Sequence, residues 1–352
     1  MRLPQPGTAA RAQRRSQSAA ASAAPVITSV TPNSSTVNGG IHVTIKGDGF
    51  AICPICSPPV PPVVTFGLTP SSSVRLLDLQ TLDVVVPVHL PGTVDVNVSQ
   101  FDGTATARNA FTLTGNASDA FETILLPIFS APVHGAFGSE FHTIVRAANK
   151  FDAFVTIYGI DTSCMIIDPP QYPLGQYTLT GMQELQLPTD CSQWPARFLY
   201  VPKTMASSLT LNDRVLDVSR STLSNGTEIS IVRSARFTSN RITLLGIPID
   251  GRFRSTLRVY GMTPMTVDVS VGGQQPRSLE LKAGASMFEP AYGTFSDFPI
   301  PVDPGSEGTM SVTIDPPQSP VGLPVIPVPP IWAFITVTNN ETQQITTITL
   351  DN

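Results

Sequence analysis

Cys53-Pro54-Ile55-Cys56 has the spacing of a redox or metal motif. A thioredoxin-type pair sits where a strand gives way to a helix, because the helix dipole stabilises a thiolate there. Here the pair opens a proline-rich loop, CPICSPPVPP (Cys53–Pro62). Three readings stay open for it: a small loop disulfide, free thiols, or metal and redox chemistry. A structural zinc site needs two more ligands, and the sequence has no second CxxC. The other two cysteines, Cys164 and Cys191, flank Ile167–Asp190, which reads as an excursion closed by a disulfide. An even count of four cysteines suits a compartment where disulfides persist.

The histidines are His42, His89, His134 and His142. None pairs with another at metal-ligand spacing. His42, His89 and His142 fall in strand-like segments, where a solvated or cross-strand polar residue is the plain reading. His134 sits in a Pro/Gly loop within reach of a ligand, but nothing near it completes a triad. No G-x-S-x-G elbow occurs. Asp48, Asp161, Asp168 and Asp190 are scattered in loops. Glycosidase chemistry needs two carboxylates facing each other at a set separation, and no motif announces such a pair. A calcium site at Asp161 and Asp168 stays open, though the spacing is not that of an EF-hand. No phosphate loop or dinucleotide fingerprint is present. The sequence therefore assigns no catalytic residue, no cofactor and no metal.

Aromatic residues offer a better clue to a ligand. Tyr172, Tyr177, Trp194 and Tyr200 gather around the Cys164–Cys191 excursion. Planar aromatic faces beside polar groups suit a shallow sugar site. Ordinary loop packing is the alternative. Trp332 lies in the alternating strand Ile331–Val337 and is expected in a core.

The elements that must position these residues are strands. Pro accounts for 34 of 352 residues and charged residues for only 13%. Proline breaks helices and ladders, so it belongs to turns and edges. Together with abundant Thr and Val it predicts short strands joined by turns. The formal net charge of −5 supplies no basic face for nucleic acid. No run approaches the roughly 20 apolar residues that span a bilayer. Residues 1–24, rich in Ala, Ser, Gln and Arg, predict a disordered tail. Ala21-Ser22-Ala23-Ala24 looks like a signal-peptidase site, but no apolar stretch precedes it. A truncated or absent signal peptide and a plain extension are both open.

Residues 25–115 form the clearest unit. Apolar and polar residues alternate in His42-Val43-Thr44-Ile45 and in Val94-Asp95-Val96-Asn97-Val98, the period of half-buried strands. Gly39-Gly40, Gly47, Gly49 and Gly92 are read as turns. About seven short strands at this spacing suggest an immunoglobulin-like sandwich. Ser29-Val30-Thr31-Pro32, Gly39-Gly40, Gly47, Gly49-Phe50, Val64-Thr65-Phe66-Gly67, Gly92-Thr93-Val94-Asp95-Val96 and Ala110-Phe111-Thr112-Leu113 resemble an IPT/TIG domain. That resemblance implies an immunoglobulin-like fold of the kind found in cell-surface receptors, secreted carbohydrate-active enzymes and some transcription factors. It brings no catalytic residue. The CPICSPPVPP insert is longer than the family's loop there.

Beyond a short linker, the remainder repeats itself. Phe141-His142-Thr143-Ile144-Val145-Arg146 echoes Phe253-Arg254-Ser255-Thr256-Leu257-Arg258, and Phe154-Val155-Thr156-Ile157 echoes Thr266-Val267-Asp268-Val269 at the same offset. Such a spacing predicts two similar domains, 122–235 and 240–352, each a β-sandwich. This region is similar to an unnamed tandem β-sandwich region of bacterial secreted proteins. A single helical turn is expected near Ser118, with its side chain as cap.

The reading is an all-β chain: an IPT/TIG sandwich followed by two related β-sandwich domains. The expected role is non-catalytic binding or spacing outside the cell or on its surface, with a surface polysaccharide or another extracellular protein as partner. The alternatives are a polysaccharide-recognition module and a hydrolase with its site between the two repeat copies.

Overall fold

The computed structural model describes residues 24–53, 56–152, 155–160, 176–187, 189, 196–219, 225–284, 286–296, 298, 307–317 and 327–350. The fold is all-β. It falls into two compact units. One takes in the chain up to Ser35, Gly39–Pro87 and Gly92–Thr112; the other Thr36–Asn38, Val88–Pro91 and Leu113–Asn352.

The first part of the chain contributes β1 (Val26–Thr31), β2 (Ser34–Thr36), β3 (His42–Asp48), β4 (Val63–Phe66), β5 (Thr69–Pro70), β6 (Val74–Asp78), β7 (Thr81–Val85), β8 (Gly92–Gln100) and β9 (Gly103–Thr114). They form two sheets, ordered β1-β3-β7-β6 and β2-β9-β8-β4-β5. Alternation decides which residues go inside. Val43 and Ile45 of β3 and Val96 and Val98 of β8 are buried while their neighbours are not. Phe66 of β4 and Phe111 of β9, both in the second sheet, are fully buried and meet edge to face at 4.9 Å. Gly47 is not at a turn as expected: it lies inside β3. A Cβ there would stand 1.9 Å from the Val26 carbonyl oxygen, so only glycine lets β1 approach.

One helical turn follows at Ala117–Ala120. Its start is Asn116, not Ser118. Asp119 reaches back, and its Oδ2 accepts the Asn116 backbone N–H at 3.0 Å.

The second unit holds two sandwiches. The first of them uses β10 (Phe121–Leu126), β11 (Val133–His134), β12 (Glu140–Asn149), β13 (Val155–Tyr158), β14 (Gln176–Leu179), β15 (Glu184–Leu187), β16 (Arg197–Pro202), β17 (Leu209–Asp217), β18 (Thr227–Ile229) and β19 (Val232–Arg233). The other uses β20 (Ile242–Pro248), β21 (Phe253–Gly261), β22 (Met265–Val271), β23 (Arg277–Leu281), β24 (Ala291–Phe295), β25 (Thr309–Asp315), β26 (Ile331–Asn339) and β27 (Ile345–Thr349).

Their strand orders correspond. In one sandwich β14-β13-β16-β10 faces a sheet in which β12 lies between β15 and β17, with β18 outermost. In the other, β23-β22-β25-β20 faces β24-β21-β26-β27. Phe141 and Phe253 enter equivalent strands, β12 and β21. Val145 and Ala147 match Leu257 and Val259, and all four are fully buried.

The two sandwiches then pack on each other. Leu125, Phe198, Val215, Ile229 and Val232 of one meet Tyr260, Trp332 and Phe334 of the other in a single apolar cluster. This corrects the alternating reading of Ile331–Val337. Every residue from Ile331 to Thr338 is buried. Ile331, Ala333, Ile335 and Val337 fill their own sandwich, and Trp332 and Phe334 fill the contact with the other. A strand covered on both faces reads as a continuous apolar run.

Candidate functional site

The residues singled out in the sequence do not converge. His42 Nδ1 lies 3.0 Å from Asp83 on an exposed strand. His142 Nε2 lies 2.9 Å from Glu140. His89 is buried against the Tyr158 ring at 5.4 Å, with Nδ1 2.8 Å from the Leu90 carbonyl, and burial lowers its pKa. His134 is in the two-residue strand β11 rather than a loop. Among the described residues no group of three or more His, Cys, Asp or Glu side chains is arranged to hold a metal ion. Asp161, Asp168, Asp190, Cys164, Cys191, Tyr172 and Trp194 lie outside the described residues. Tyr177 belongs to β14.

Cys53 and Cys56 are joined by a disulfide with their Cα atoms 5.4 Å apart. The bridge pins the loop whose walls, Val60, Pro61, Val63 and Phe101, form an apolar depression of about 340 Å³. Tyr200 is spent on the contact between sandwiches. Its hydroxyl donates to the Met287 carbonyl at 3.1 Å and its ring meets Phe288 edge to face at 5.9 Å.

The sandwich contact creates a cleft of about 440 Å³. One wall comes from the first sandwich: Phe141 of β12, Val215–Asp217 at the end of β17, and Asn225–Thr227 leading into β18. The opposite wall is Thr342–Ile345, the turn between β26 and β27. A hydrogen bond from Thr227 Oγ1 to the Ile345 carbonyl, 2.5 Å, closes the floor. The walls are rich in amides and hydroxyls, which can both donate and accept.

Local structure fixes each group. Gln343 has φ +59° and is almost fully buried. Its Nε2 donates to the Asn340 carbonyl, and its Oε1 accepts Arg254 Nη2 at 2.6 Å. Arg254 also donates to Asn340 Oδ1 at 2.8 Å. Its guanidinium lies over the Phe137 ring, 5.7 Å from the centroid. Phe137 stands at the tip of the hairpin β11–β12 with φ +57° and is 65% exposed. A bulky residue held in the left-handed region is uncommon, and here it sets an aromatic face over Arg254, the hydrogen-bond partner of Gln343 in the cleft wall. Phe141 opens the other arm of that hairpin, packed so closely that a Cβ on Gly135 would fall 2.7 Å from its ring.

Asp217 is the carboxylate of the cleft. Its Oδ1 accepts the Glu140 N–H, the Ser219 N–H and the Ser219 hydroxyl, at 3.0, 3.0 and 2.6 Å. It therefore ties strand ends together. Neither Phe137 nor the 342–345 turn belongs to a motif that marks a site in the sequence. The signal available was the phenylalanine inside Gly135-Ala136-Phe137-Gly138, an apolar residue in a turn with no core to serve.

Residues 25–113 match the family model of the IPT/TIG domain. No curated protein matches the chain. Among solved structures, the chain is similar to a gamma-CGTase from Alkalophilic bacillus clarkii, at 21% identity and TM-score 0.21, over 58% of this chain and 24% of that one. It thus spans about a quarter of that enzyme's length. It is also similar to SGBP-B from a xyloglucan utilization locus in Bacteroides uniformis, at 10% identity and TM-score 0.20, over 93% of this chain and 73% of that one. A surface glycan-binding protein from Prevotella bryantii is similar at 11% identity and TM-score 0.21, over 94% and 99%.

Proposed function

We propose that this chain is a non-catalytic binding protein of the cell exterior whose second unit takes a glycan in the cleft between its two sandwiches. The observation that carries the reading is an exposed aromatic face, Phe137, linked through Arg254 to Gln343 of a cleft walled by Asn225, Thr227, Thr342 and Gln344. Sugars present an apolar C–H face and a rim of hydroxyls. An aromatic ring and a set of fixed amides match those two surfaces. The Arg254 guanidinium backs one face of the Phe137 ring and leaves the ring exposed.

The cleft favours binding over turnover. Hydrolysis asks for an acid and a base held free to exchange protons. Asp217 is instead committed to three donors, the Glu140 N–H at the start of β12 and the N–H and hydroxyl of Ser219. The Cys53–Cys56 bridge fits an oxidising compartment.

The test is a binding screen of the full chain against immobilised and soluble polysaccharides, repeated with Phe137→Ala. Binding that weakens about three- to tenfold in the variant supports the reading. Release of new reducing ends from a bound polysaccharide would overturn it, and so would binding that ignores Phe137.

A further inference from the structure

We propose that the glycan held by this cleft is acidic, and that a sugar carboxylate is read by Arg146 and Arg214 on the open face of the first sandwich. The inference rests on the glycan reading above and names its chemical class.

The cleft does not end at Asn225. A second depression, about 260 Å³, adjoins it and shares Leu216 and Asn225 as lining. Its other walls are Ile144 and Arg146 of β12 and Asn212 and Arg214 of β17. The register explains the grouping. Arg146 pairs opposite Asn212, Ile144 opposite Arg214, and His142 opposite Leu216. All point to the outer face of the sheet, since the alternate residues Val145, Asp213 and Val215 point inward. Arg146 and Arg214 are diagonal neighbours, about 7–8 Å apart along the face. Ile144 and Leu216 form an apolar strip beside them.

The repeat shows that this face is not open by default. The same strand positions in the other sandwich carry Trp332 where Thr210 stands and Phe334 where Asn212 stands. There the face is apolar and covered by a neighbouring sheet. Here it is polar, and no sheet among the described residues covers it. Both sandwiches share an arginine at the equivalent of Arg146, namely Arg258. Arg258 is used internally, on Thr336 Oγ1 at 2.5 Å and over the Phe334 ring at 5.9 Å. Arg146 is exposed and has no ion pair among the described residues.

Charge supports an anion. The chain as a whole is acidic, at −5, yet the lining of the second depression contains two arginines and no carboxylate. Three acids stand near this face, and none lines the depression. Exposed Glu184 of β15 lies opposite Ala148, diagonal to Arg146. Glu228 stands 3.9 Å from Arg214 with its side chain 64% exposed. Glu140 pairs with His142. Arg214 is oriented by its hydrogen bond to the Asn225 carbonyl, 3.1 Å, at the seam of the two depressions. A guanidinium binds a planar carboxylate through two parallel hydrogen bonds. A uronic-acid polymer offers one such group on each acidic residue.

The test is calorimetry with the full chain against polygalacturonate, alginate, dextran sulfate and a neutral β-glucan. The expected result is binding to polygalacturonate or alginate that weakens about tenfold or more between roughly 50 mM and roughly 500 mM salt. Arg146→Gln and Arg214→Gln should each cost about tenfold on the acidic polymer. Glu228→Gln should tighten it, and Phe137→Ala should weaken it regardless of salt. Circular dichroism of each variant checks that folding is retained. Equal binding of neutral β-glucan, with no effect of either arginine, overturns the acidic assignment and leaves the glycan reading standing. Binding to dextran sulfate without binding to either uronate also overturns it. Binding of none of the four by the wild-type chain overturns both.

Discussion

Asp213 and Ile335 occupy the same register position in the two sandwiches of the second unit. Asp213 lies opposite Val145 in β17, and Ile335 opposite Leu257 in β26. Both are fully buried. One copy thus places a carboxyl group where the other places a methyl-branched core residue. Neither Asp213 oxygen makes a well-formed hydrogen bond among the described residues. Burial pushes its pKa well above the ordinary carboxylate range, and the Ile128 backbone N–H pulls weakly the other way. Asp213 is therefore a neutral acid inside the fold until the pH rises well past its usual range.

The sign of its effect on stability follows. The folded pKa is raised, so the folded state holds the proton more tightly than the unfolded chain does. The protonated group is tolerated at low pH, and stability is lost as pH climbs from about 4 towards the raised value. Asp213→Asn or Asp213→Leu should remove this slope and stabilise the second unit at pH 7 by about 1–3 kcal/mol. Thermal melts of wild type and variants at several pH values check it. A variant that is less stable than wild type at pH 7 counts against it.

His89 carries the opposite slope. Its folded pKa is lowered by burial. Stability linked to the neutral ring is present above about 6.5 and lost as pH falls through the lowered value. His89→Gln should flatten the acid side of the stability profile while leaving the Asp213 slope in place. The two variants compared in one pH series separate the contributions.

Trp332 should act as a lock between the sandwiches. It stacks near Phe334 at 5.3 Å and Tyr260 at 5.9 Å, and the Tyr260 hydroxyl donates to the Pro127 carbonyl across the contact at 2.6 Å. Trp332→Ala is expected to cost about 3–5 kcal/mol. It should also expose the contact to protease before either sandwich unfolds. Loss of less than about 1 kcal/mol would mean the contact contributes little.

Cys164 and Cys191 are expected to be bridged. Closing a loop of roughly 27 residues is worth about 3 kcal/mol in the chain-entropy view. Peptide mapping without reductant should recover the two in one linked fragment. Recovering both as free thiols would rule the bridge out.

Phe137 should be dispensable for folding. It is mostly exposed, so Phe137→Ala is expected to shift stability by no more than about 0.5 kcal/mol. A larger loss in denaturant titrations would make it a packing residue instead of a ligand platform.

The sequence alone determined the strands. Val43, Ile45, Val96 and Val98 alternate with polar neighbours, and a period of two leaves a strand one way to face a core. The echo of Phe141–Arg146 in Phe253–Arg258 was equally legible, because repeated strands keep their inward residues. Tertiary structure decided what the outer faces do. Nothing local distinguishes Trp332 from an ordinary core tryptophan, and the alternation of Leu209, Leu211, Asp213 and Val215 sets Asp213 inward without showing that it is fully buried. Which face of a sheet is covered depends on a partner far away in the chain: Leu125 and Phe198 bury Trp332, and no equivalent pair among the described residues covers Asn212. The cleft exists because the Thr342–Ile345 turn of one sandwich arrives beside Asn225 of the other. A contact at that separation leaves no period or spacing in the sequence.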